Sequence, residues 1–119
     1  MLPITNAVRH IRVAGSAADN VGRQSGAWTV EWQGIDGNWL PDSTSILAGI
    51  KSRARAGVRV DYSEGGEFKD GGVRADLGIA IVGEKPYAEG WGDREYPILD
   101  DGDRKAIKNL QAVCDKVVV

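Results

Sequence analysis

Short apolar runs alternate with polar segments along this chain, and the runs predict strands. Residues 10–16 and 58–63 read as short strands, the first ended by a turn of small residues and the second with alternating apolar positions. The run 77–84 is almost continuously apolar, which is typical of a strand covered on both faces of a sheet. Residues 116–119 begin a fourth strand.

Segment 43–57, between the first two strands, has the marks of a helix. Ser43 or Thr44 can cap its N-terminus, and Gly57 can end it. One apolar stripe runs along the segment at helical spacing and is formed by Ile46, Leu47 and Ile50.

A second helix is predicted over 103–114, with Asp100 or Asp101 as its cap. Together with Asp103 these aspartates lack the ligand spacing and the glutamate of an EF-hand, so helix capping explains them better than calcium binding. Cys114, the one cysteine, lies at the end of this helix and is expected to be a buried, inert thiol.

Two connections are long and rich in glycine. Most of segment 17–42 has neither helical nor strand periodicity, although 28–32 is expected to be briefly extended. Segment 64–75 is expected to hold at most one helical turn. The turn after the first strand lacks the G-x-G-x-x-G spacing and no helix is expected after it, which disfavours a dinucleotide or phosphate ligand.

This order of elements predicts an α/β fold, a three-layer α/β/α sandwich around a mainly parallel sheet. Right-handed crossovers favour the flavodoxin-like strand order 2-1-3-4. Ligands of such sheets bind beyond the carboxyl ends of the strands where the order reverses, here between strands 1 and 3. The loops that leave there are 17–42 and 83–101, and together they hold all four tryptophans.

Composition narrows the classes of function. At 119 residues the chain is a single domain, and its net charge of −2 gives no electrostatic footprint for nucleic acid or an acidic membrane. No apolar run approaches the roughly 18 residues of a membrane helix, and the first residues lack a secretory core. His10 lies at the start of the first strand, far from the site end, and is expected to be structural.

Three tryptophans, Trp28, Trp32 and Trp39, fall within twelve residues, and Trp91 follows the third strand. Indole faces stack on pyranose rings, while carboxylate, amide and guanidinium groups bind sugar hydroxyls. The loops therefore favour a carbohydrate ligand, although tryptophans that only pin a long loop to the domain would give the same pattern.

Segments 13–34, 44–51 and 79–93 resemble glycoside hydrolase family 3, specifically the second, α/β-sandwich domain of its β-glucosidases and β-glucan exohydrolases. The paired motifs are W-T-x-x-W-Q-G at 28–34 and V-G-E-x-P-Y-x-E at 82–89. The resemblance covers nearly the whole chain. It implies that 1–119 is part of that C-terminal domain, that the (β/α)8 barrel and its nucleophile lie outside this chain, and that the fold breaks off inside the fourth strand.

The resemblance implies a retaining exo-acting β-glucosidase or 1,4(1,3)-β-D-glucan glucohydrolase that acts on β-glucan or cello-oligosaccharide. Glu89 would be the general acid/base, while Trp28 and Trp32 would line the mouth of the site, with Trp32 clamping the leaving-group sugar. No cofactor or metal is implied. Family members often have two glycines before the first tryptophan, where this chain has Gly26 and Ala27. Relatives with these motifs are often exported, which implies a periplasmic or secreted parent.

Four other loop residues receive roles. Trp91 and Asp93 are expected to contact substrate, although Trp91 covering the loop and Asp93 stabilising a turn are open alternatives. Glu84 and Tyr87 are expected to support the loop. Without the barrel, Glu89 should be an exposed carboxylate and the isolated chain should be inactive.

Two further interpretations stay open. The chain could be a free-standing carbohydrate-binding α/β module that holds glucans with Trp28, Trp32 and Trp91 without cleaving them. It could also be an excised half-domain whose fourth strand leaves an unpaired sheet edge, which would favour a homodimer.

Overall fold

The structure, a computed structural model, describes residues 3–119, in which four strands and three helices are found. The strands are β1 (His10–Ala14), β2 (Arg59–Tyr62), β3 (Leu77–Ala80) and β4 (Val117–Val118). The helices are α1 (Val21–Ser25), α2 (Ile46–Arg53) and α3 (Asp101–Val113).

All strand pairs are parallel, and the sheet order is β2-β1-β3-β4. Residue Ile11 of β1 stands opposite Val60 on one side and Leu77 on the other. The predicted α/β class and the 2-1-3-4 order are therefore confirmed. Since the order reverses between β1 and β3, the carboxyl ends of these two central strands form the edge at which a ligand site is expected.

The two faces of the sheet each carry an apolar core. On one face Ile11, Val13 and Leu77 pack with Leu47 of α2. On the other face the small side chains of Ala14 and Ala80 admit α3, whose buried residues there are Ala106 and Leu110. β3 contributes to both cores, as its continuous apolar run predicts.

Cys114 is buried in the α3 core, as expected from its position at the end of the helix. Burial raises the pKa of its thiol, which keeps it protonated and unreactive at neutral pH.

One charged residue lies inside this core. Arg12 of β1 is fully buried, donates from Nη1 to the carbonyl of Val113 at 2.9 Å, and forms an ion pair with Asp70. Its guanidinium carbon also lies 4.8 Å from the centre of the Phe68 ring. The pairing and the aromatic face compensate for the loss of hydration of the cation.

Helix α2 begins later than predicted. Its N-cap is Ser45, whose side chain accepts from the backbone N–H of Ala48 at 3.1 Å, so the prediction of Ser43 or Thr44 was wrong. The Ser43 hydroxyl instead donates to the carbonyl of Leu40 at 2.5 Å and belongs to the preceding turn. Gly57 lies three residues beyond the C-cap at Ala54, in the turn to β2.

Segment 17–42 holds a helix that its pattern did not predict. Helix α1 has only five residues and is capped by Asn20, whose side chain accepts from the N–H of Arg23 at 2.9 Å. A helix of this length shows no apolar periodicity, so the expectation that no helix follows the first turn was wrong.

Segment 64–75 contains turns and no helical turn, which agrees with the expectation of at most one. Two smaller expectations fail. Residues 28–32 form a tight turn rather than an extended segment, because Trp28 and Val30 adopt left-handed φ values of 59° and 67°. Strand β3 ends at Ala80, because beyond it the neighbouring strand β1 has already turned away at Gly15.

Helix α3 begins at Asp101, two residues before its predicted start, and one of its two predicted caps is confirmed. Asp100 is its N-cap and accepts from the N–H of Asp103 at 2.9 Å. None of the helices within residues 3–119 combines the length and the apolar character that a bilayer crossing needs.

Replacing Gly15 with alanine is expected to lower the free energy of unfolding by about 2–3 kcal/mol. Its φ is +103°, and an added Cβ would lie 2.2 Å from the carbonyl oxygen of Ile81, where β1 gives way to its loop. Urea unfolding measures the change. Gly49→Ala in the interior of α2 is the control, since an added Cβ there meets nothing within 4 Å and should stabilise by up to ~1 kcal/mol. A Gly15→Ala variant as stable as the parent would contradict the assigned backbone.

Candidate active site

Two loops leave the carboxyl ends of β1 and β3 and meet at the edge of the sheet. Residues 27–34, here called the tryptophan loop, follow α1, and residues 83–93, here called the glutamate loop, follow β3. Their position is the one that the strand order predicts for a ligand site.

The tryptophan loop is a tight, strained turn. The N–H of Trp28 donates to the carbonyl of Trp32 at 3.1 Å, and the N–H of Glu31 donates to the carbonyl of Thr29 at 2.9 Å. Left-handed φ values are unfavourable for Trp28 and still more so for the β-branched Val30. Such strain is typical of loops whose conformation serves a ligand.

This turn holds its indole rings outward instead of burying them. Trp28 is 73% exposed and Trp32 is 51% exposed. Their ring centres lie 6.3 Å apart with an interplanar angle of 61°, so the two rings meet edge to face. The loop therefore presents aromatic faces to solvent, although Trp39 in the same segment is only partly exposed and donates to the carbonyl of Ile35 at 2.6 Å.

The glutamate loop is braced from within. The Tyr87 hydroxyl donates to Glu84 Oε2 at 2.6 Å, and Arg94 Nη1 lies 2.9 Å from Glu84 Oε1. The hydrogen bond to the Glu84 carboxylate and its negative charge raise the pKa of Tyr87. The Tyr87 ring packs so closely on Gly92 that a Cβ there would lie 1.9 Å from ring carbons. Glu84 thus joins Tyr87 and Arg94 in one side-chain network at this loop.

The tips of the two loops are joined by polar contacts. Trp32 Nε1 donates to Glu89 Oε2 at 2.5 Å, and the backbone N–H of Ala88 donates to Gln33 Oε1 at 2.7 Å. Glu89 is exposed and Ala88 beside it is buried. The carboxyl group of Glu89 thus lies at the surface beside the exposed tryptophans, not beneath the sheet.

A buried carboxylate joins the two places where the chain leaves β1 and β3, at Ser16 and Gly83, which are here called the roots of the loops. Asp103 is 2% exposed and accepts from the N–H of Ser16 at 3.0 Å, from the Ser16 hydroxyl at 2.9 Å and from the N–H of Gly83 at 3.2 Å. Arg23 Nη1 donates to the carbonyl of Gly83 at 2.7 Å and also to the Ser16 hydroxyl. These contacts join the segment after β1, helix α1 and the start of the glutamate loop to α3.

Asp103 was expected only to cap a helix, and its hydrogen bonds to Ser16 and Gly83 were not predicted from the sequence. The available signal was helical spacing, because Asp103 shares a face of α3 with Ala106 and Leu110, the buried residues of that helix.

Asp36 adds a link between helix α1 and the glutamate loop. It accepts from Asn20 Nδ2 at 2.7 Å and from Arg23 Nε at 3.2 Å, and its Oδ2 lies 3.7 Å from Nζ of Lys85. Burial alone would raise the pKa of this carboxyl, but the hydrogen bonds from Asn20 and Arg23 and the neighbouring positive charges outweigh it, so the pKa is lowered.

Between the loop tips lies an open pocket of about 270 Å³. Its walls include the Trp28 ring, Tyr87 and the side chains of Glu89 and Asp93. A sugar placed here would meet an aromatic face together with carboxylates.

The structure does not bring Trp91 into this pocket. Trp91 is 81% exposed and lines a different pocket of about 310 Å³ with Glu84, Tyr87 and Arg94. The ring of Tyr87 stands between the two pockets, because it lines both. Trp28, Trp32, Glu89 and Asp93 are therefore assembled at one place, and Trp91 lies apart from them.

One group of potential metal ligands lies elsewhere. Ligand atoms of His10, Asp61 and Asp70 are within 4.8 Å of one another near the start of β1, at the edge opposite the loops. His10 Nε2 lies 2.8 Å from Asp61, and Arg59 and Arg12 already pair with the two carboxylates. The guanidinium groups supply the positive charge that a cation would bring, so His10 is part of a structural ion-pair network.

Comparison with known proteins connects this geometry to carbohydrate hydrolysis. The family described as "Glycosyl hydrolase family 3 C-terminal domain" matches residues 1–119. The lysosomal beta glucosidase of Dictyostelium discoideum is 30% identical over 109 residues, an alignment that covers 78% of this chain and 13% of that protein.

Two crystal structures also resemble this chain in fold and sequence. A crystal structure of a variant of the exo-1,3/1,4-beta-glucanase from a Pseudoalteromonas species matches with a TM-score of 0.74 and 37% identity, over 92% of this chain and 18% of that one. A second crystal structure of the same enzyme matches with a TM-score of 0.66 and 42% identity, over 79% and 12% of the two chains. This chain spans less than a fifth of the length of these relatives.

Proposed function

Because the chain belongs to glycosyl hydrolase family 3, as its C-terminal domain, we propose that it supplies the general acid/base and the tryptophan-lined subsite of a retaining, exo-acting β-glucosidase or β-glucan glucohydrolase. Glu89 is the acid/base. Trp28 and Trp32 line the mouth of the site, Trp32 clamps the leaving-group sugar, and Asp93 contacts the substrate. Glu84 and Tyr87 support the loop, and Trp91 lines the neighbouring pocket.

The observation that carries this proposal is the position of the Glu89 carboxyl group. It is exposed, it accepts a 2.5 Å hydrogen bond from the Trp32 indole, and it shares a pocket with Trp28. Cleavage of a glycosidic bond needs a carboxyl group beside the departing oxygen, and the exposed indoles next to Glu89 can bind the sugar that departs. The relatives named above are a β-glucosidase and an exo-β-glucanase.

The chemistry then follows the retaining scheme. A nucleophilic carboxylate attacks the anomeric carbon while Glu89 protonates the glycosidic oxygen, and the bond to the leaving sugar breaks. Glu89, now ionised, takes a proton from water, and the oxygen of that water bonds to the anomeric carbon and releases glucose from the nucleophile. The two carboxyl groups need a separation of about 5–5.5 Å.

The nucleophile is assigned to a (β/α)8 barrel domain that packs against the loop tips. Its approach would exclude water from the pocket, which strengthens the electrostatic interactions inside it. The isolated 119-residue chain is therefore expected to bind weakly and to have no activity.

The exposure of three tryptophans favours a second candidate, a carbohydrate-binding module without catalysis. Trp28, Trp32 and Trp91 are each more than half exposed, as binding platforms are. Titration of the isolated chain with cello- and laminari-oligosaccharides, followed by tryptophan fluorescence, separates the two functions. A half-site should show no saturable change at micromolar sugar, and saturable micromolar binding would favour the module. The acid/base assignment is tested by turnover of a Glu89→Gln enzyme on poorly and well activated glucosides.

A further inference from the structure

The hydrogen bond between Trp32 and Glu89 joins two side chains that the proposed function treats separately. Trp32 Nε1 lies 2.5 Å from Glu89 Oε2, and the bond crosses from one loop to the other. An indole N–H is a donor only, so it occupies a lone pair of the oxygen that it meets. If Oε2 carried the acidic proton on that side, this hydrogen and the indole hydrogen would face and repel each other.

We infer that Trp32 is a positioning residue for proton transfer, because its N–H holds Glu89 Oε2 as an acceptor and leaves Oε1 as the oxygen that carries the proton to the leaving group. This inference rests on the proposed function of Glu89. The indole orients the carboxyl group, and its own atoms take no part in bond making or breaking.

The same ring also keeps exposed surface that a sugar can contact. Trp32 is 51% exposed although its Nε1 edge is engaged, and its backbone is held by the hydrogen bond from Trp28. An indole bonded through its edge can still stack through its face. The leaving-group sugar and the acid that protonates it would then be located by one side chain, which fixes the distance between them.

The other groups that line the pocket with Glu89 do not replace this contact. Tyr87 and Asp93 are the titratable groups there, and the tryptophan loop adds only Ala27 and Trp28. The Tyr87 hydroxyl donates to Glu84 instead. Among the described residues, Trp32 is the one whose side chain donates a hydrogen bond to the Glu89 carboxyl group.

The test compares Trp32→Phe with Trp39→Phe in a full-length enzyme that carries this chain. Both changes remove one indole N–H from the same segment and keep an aromatic face, but Trp39 donates to the backbone carbonyl of Ile35. The hydrogen bond from Trp32 becomes charge-assisted as Glu89 gives up its proton in the transition state. Its loss in Trp32→Phe should lower kcat about 10- to 100-fold on β-glucosides with poor leaving groups. KM should change little, since the stacking face remains. Trp39→Phe should leave the dependence of kcat on the leaving group unchanged.

A second readout observes the bond without activity. The protein is labelled with 5-fluorotryptophan, and the Trp32 resonance is assigned by its loss in Trp32→Phe. Glu89→Ala, which removes the acceptor, should shift this ¹⁹F resonance and leave that of Trp39 in place.

The outcomes separate this inference from the proposed function. A large loss in Glu89→Gln together with a selective kcat loss in Trp32→Phe supports both. A large loss in Glu89→Gln while Trp32→Phe behaves like Trp39→Phe, or an unmoved Trp32 resonance, overturns the positioning role and leaves the acid/base intact. Normal turnover of Glu89→Gln together with a shifted Trp32 resonance in Glu89→Ala overturns the proposed function. Proton delivery from Oε1 is then overturned as well, whereas the hydrogen bond itself is confirmed.

Discussion

The Glu89→Gln variant of a full-length enzyme carrying this chain is expected to lose about 10³-fold in kcat on β-glucosides with poor leaving groups. The amide keeps the size of the side chain and can accept from Trp32 through its oxygen, but it has no acidic proton for the glycosidic oxygen. Aryl glucosides with good leaving groups need little protonation, so their first step should be much less affected. Steady-state rates on a leaving-group series measure the difference.

Azide provides the independent check on this assignment. Once the glycosyl-enzyme has formed, an anionic nucleophile needs no general base, so azide should restore turnover of activated substrates by Glu89→Gln and give glucosyl azide. The control is Glu95→Gln, an exposed carboxylate just beyond the glutamate loop, which should retain normal rates. Near-normal hydrolysis of poor leaving groups by Glu89→Gln would remove the basis of the proposed function.

The fold was predictable because it depends on patterns that repeat over several residues. The near-continuous apolar run that includes Ala80 predicted a strand covered on both faces, and β3 contributes to both cores. The capping of α3 by Asp100 was predictable for a similar reason, since an aspartate before a helical apolar stripe has few other uses. Chain topology then placed the site between β1 and β3.

What the patterns could not predict depends on single contacts between distant residues. Ser43, Thr44 and Ser45 are all plausible caps, and the choice of Ser45 follows from the turn that occupies Ser43. Likewise no spacing rule predicts that Trp91 and Trp28 line different pockets. Tyr87 lines both pockets, and its position depends on the packing of its ring against Gly92. The Trp32–Glu89 bond joins residues 57 positions apart and needed the folded loops.

Asp103→Ala is expected to have the largest effect on stability, a loss of about 4 kcal/mol in the free energy of unfolding. The carboxylate is 2% exposed and accepts from the Ser16 N–H, the Ser16 hydroxyl and the Gly83 N–H. Removing it leaves buried donors without partners, at a cost of about 1–3 kcal/mol each. Chemical denaturation of the chain measures the loss.

Two further variants make the cause identifiable. Asp103→Asn keeps the size and one acceptor oxygen, but its amide N–H₂ group would face a second backbone or hydroxyl donor, so it should lose about half as much. Asp101→Ala removes a nearby carboxylate of the same helical turn whose side chain is 92% exposed, and this change should cost at most about 1 kcal/mol. If Asp103→Ala unfolded like Asp101→Ala, the buried carboxylate would not be what ties the roots of the two loops. Because those roots set where Trp32 and Glu89 meet, the Asp103→Asn enzyme should also lose turnover, although Asp103 touches neither residue. Stability and catalysis would then depend on the same three hydrogen bonds.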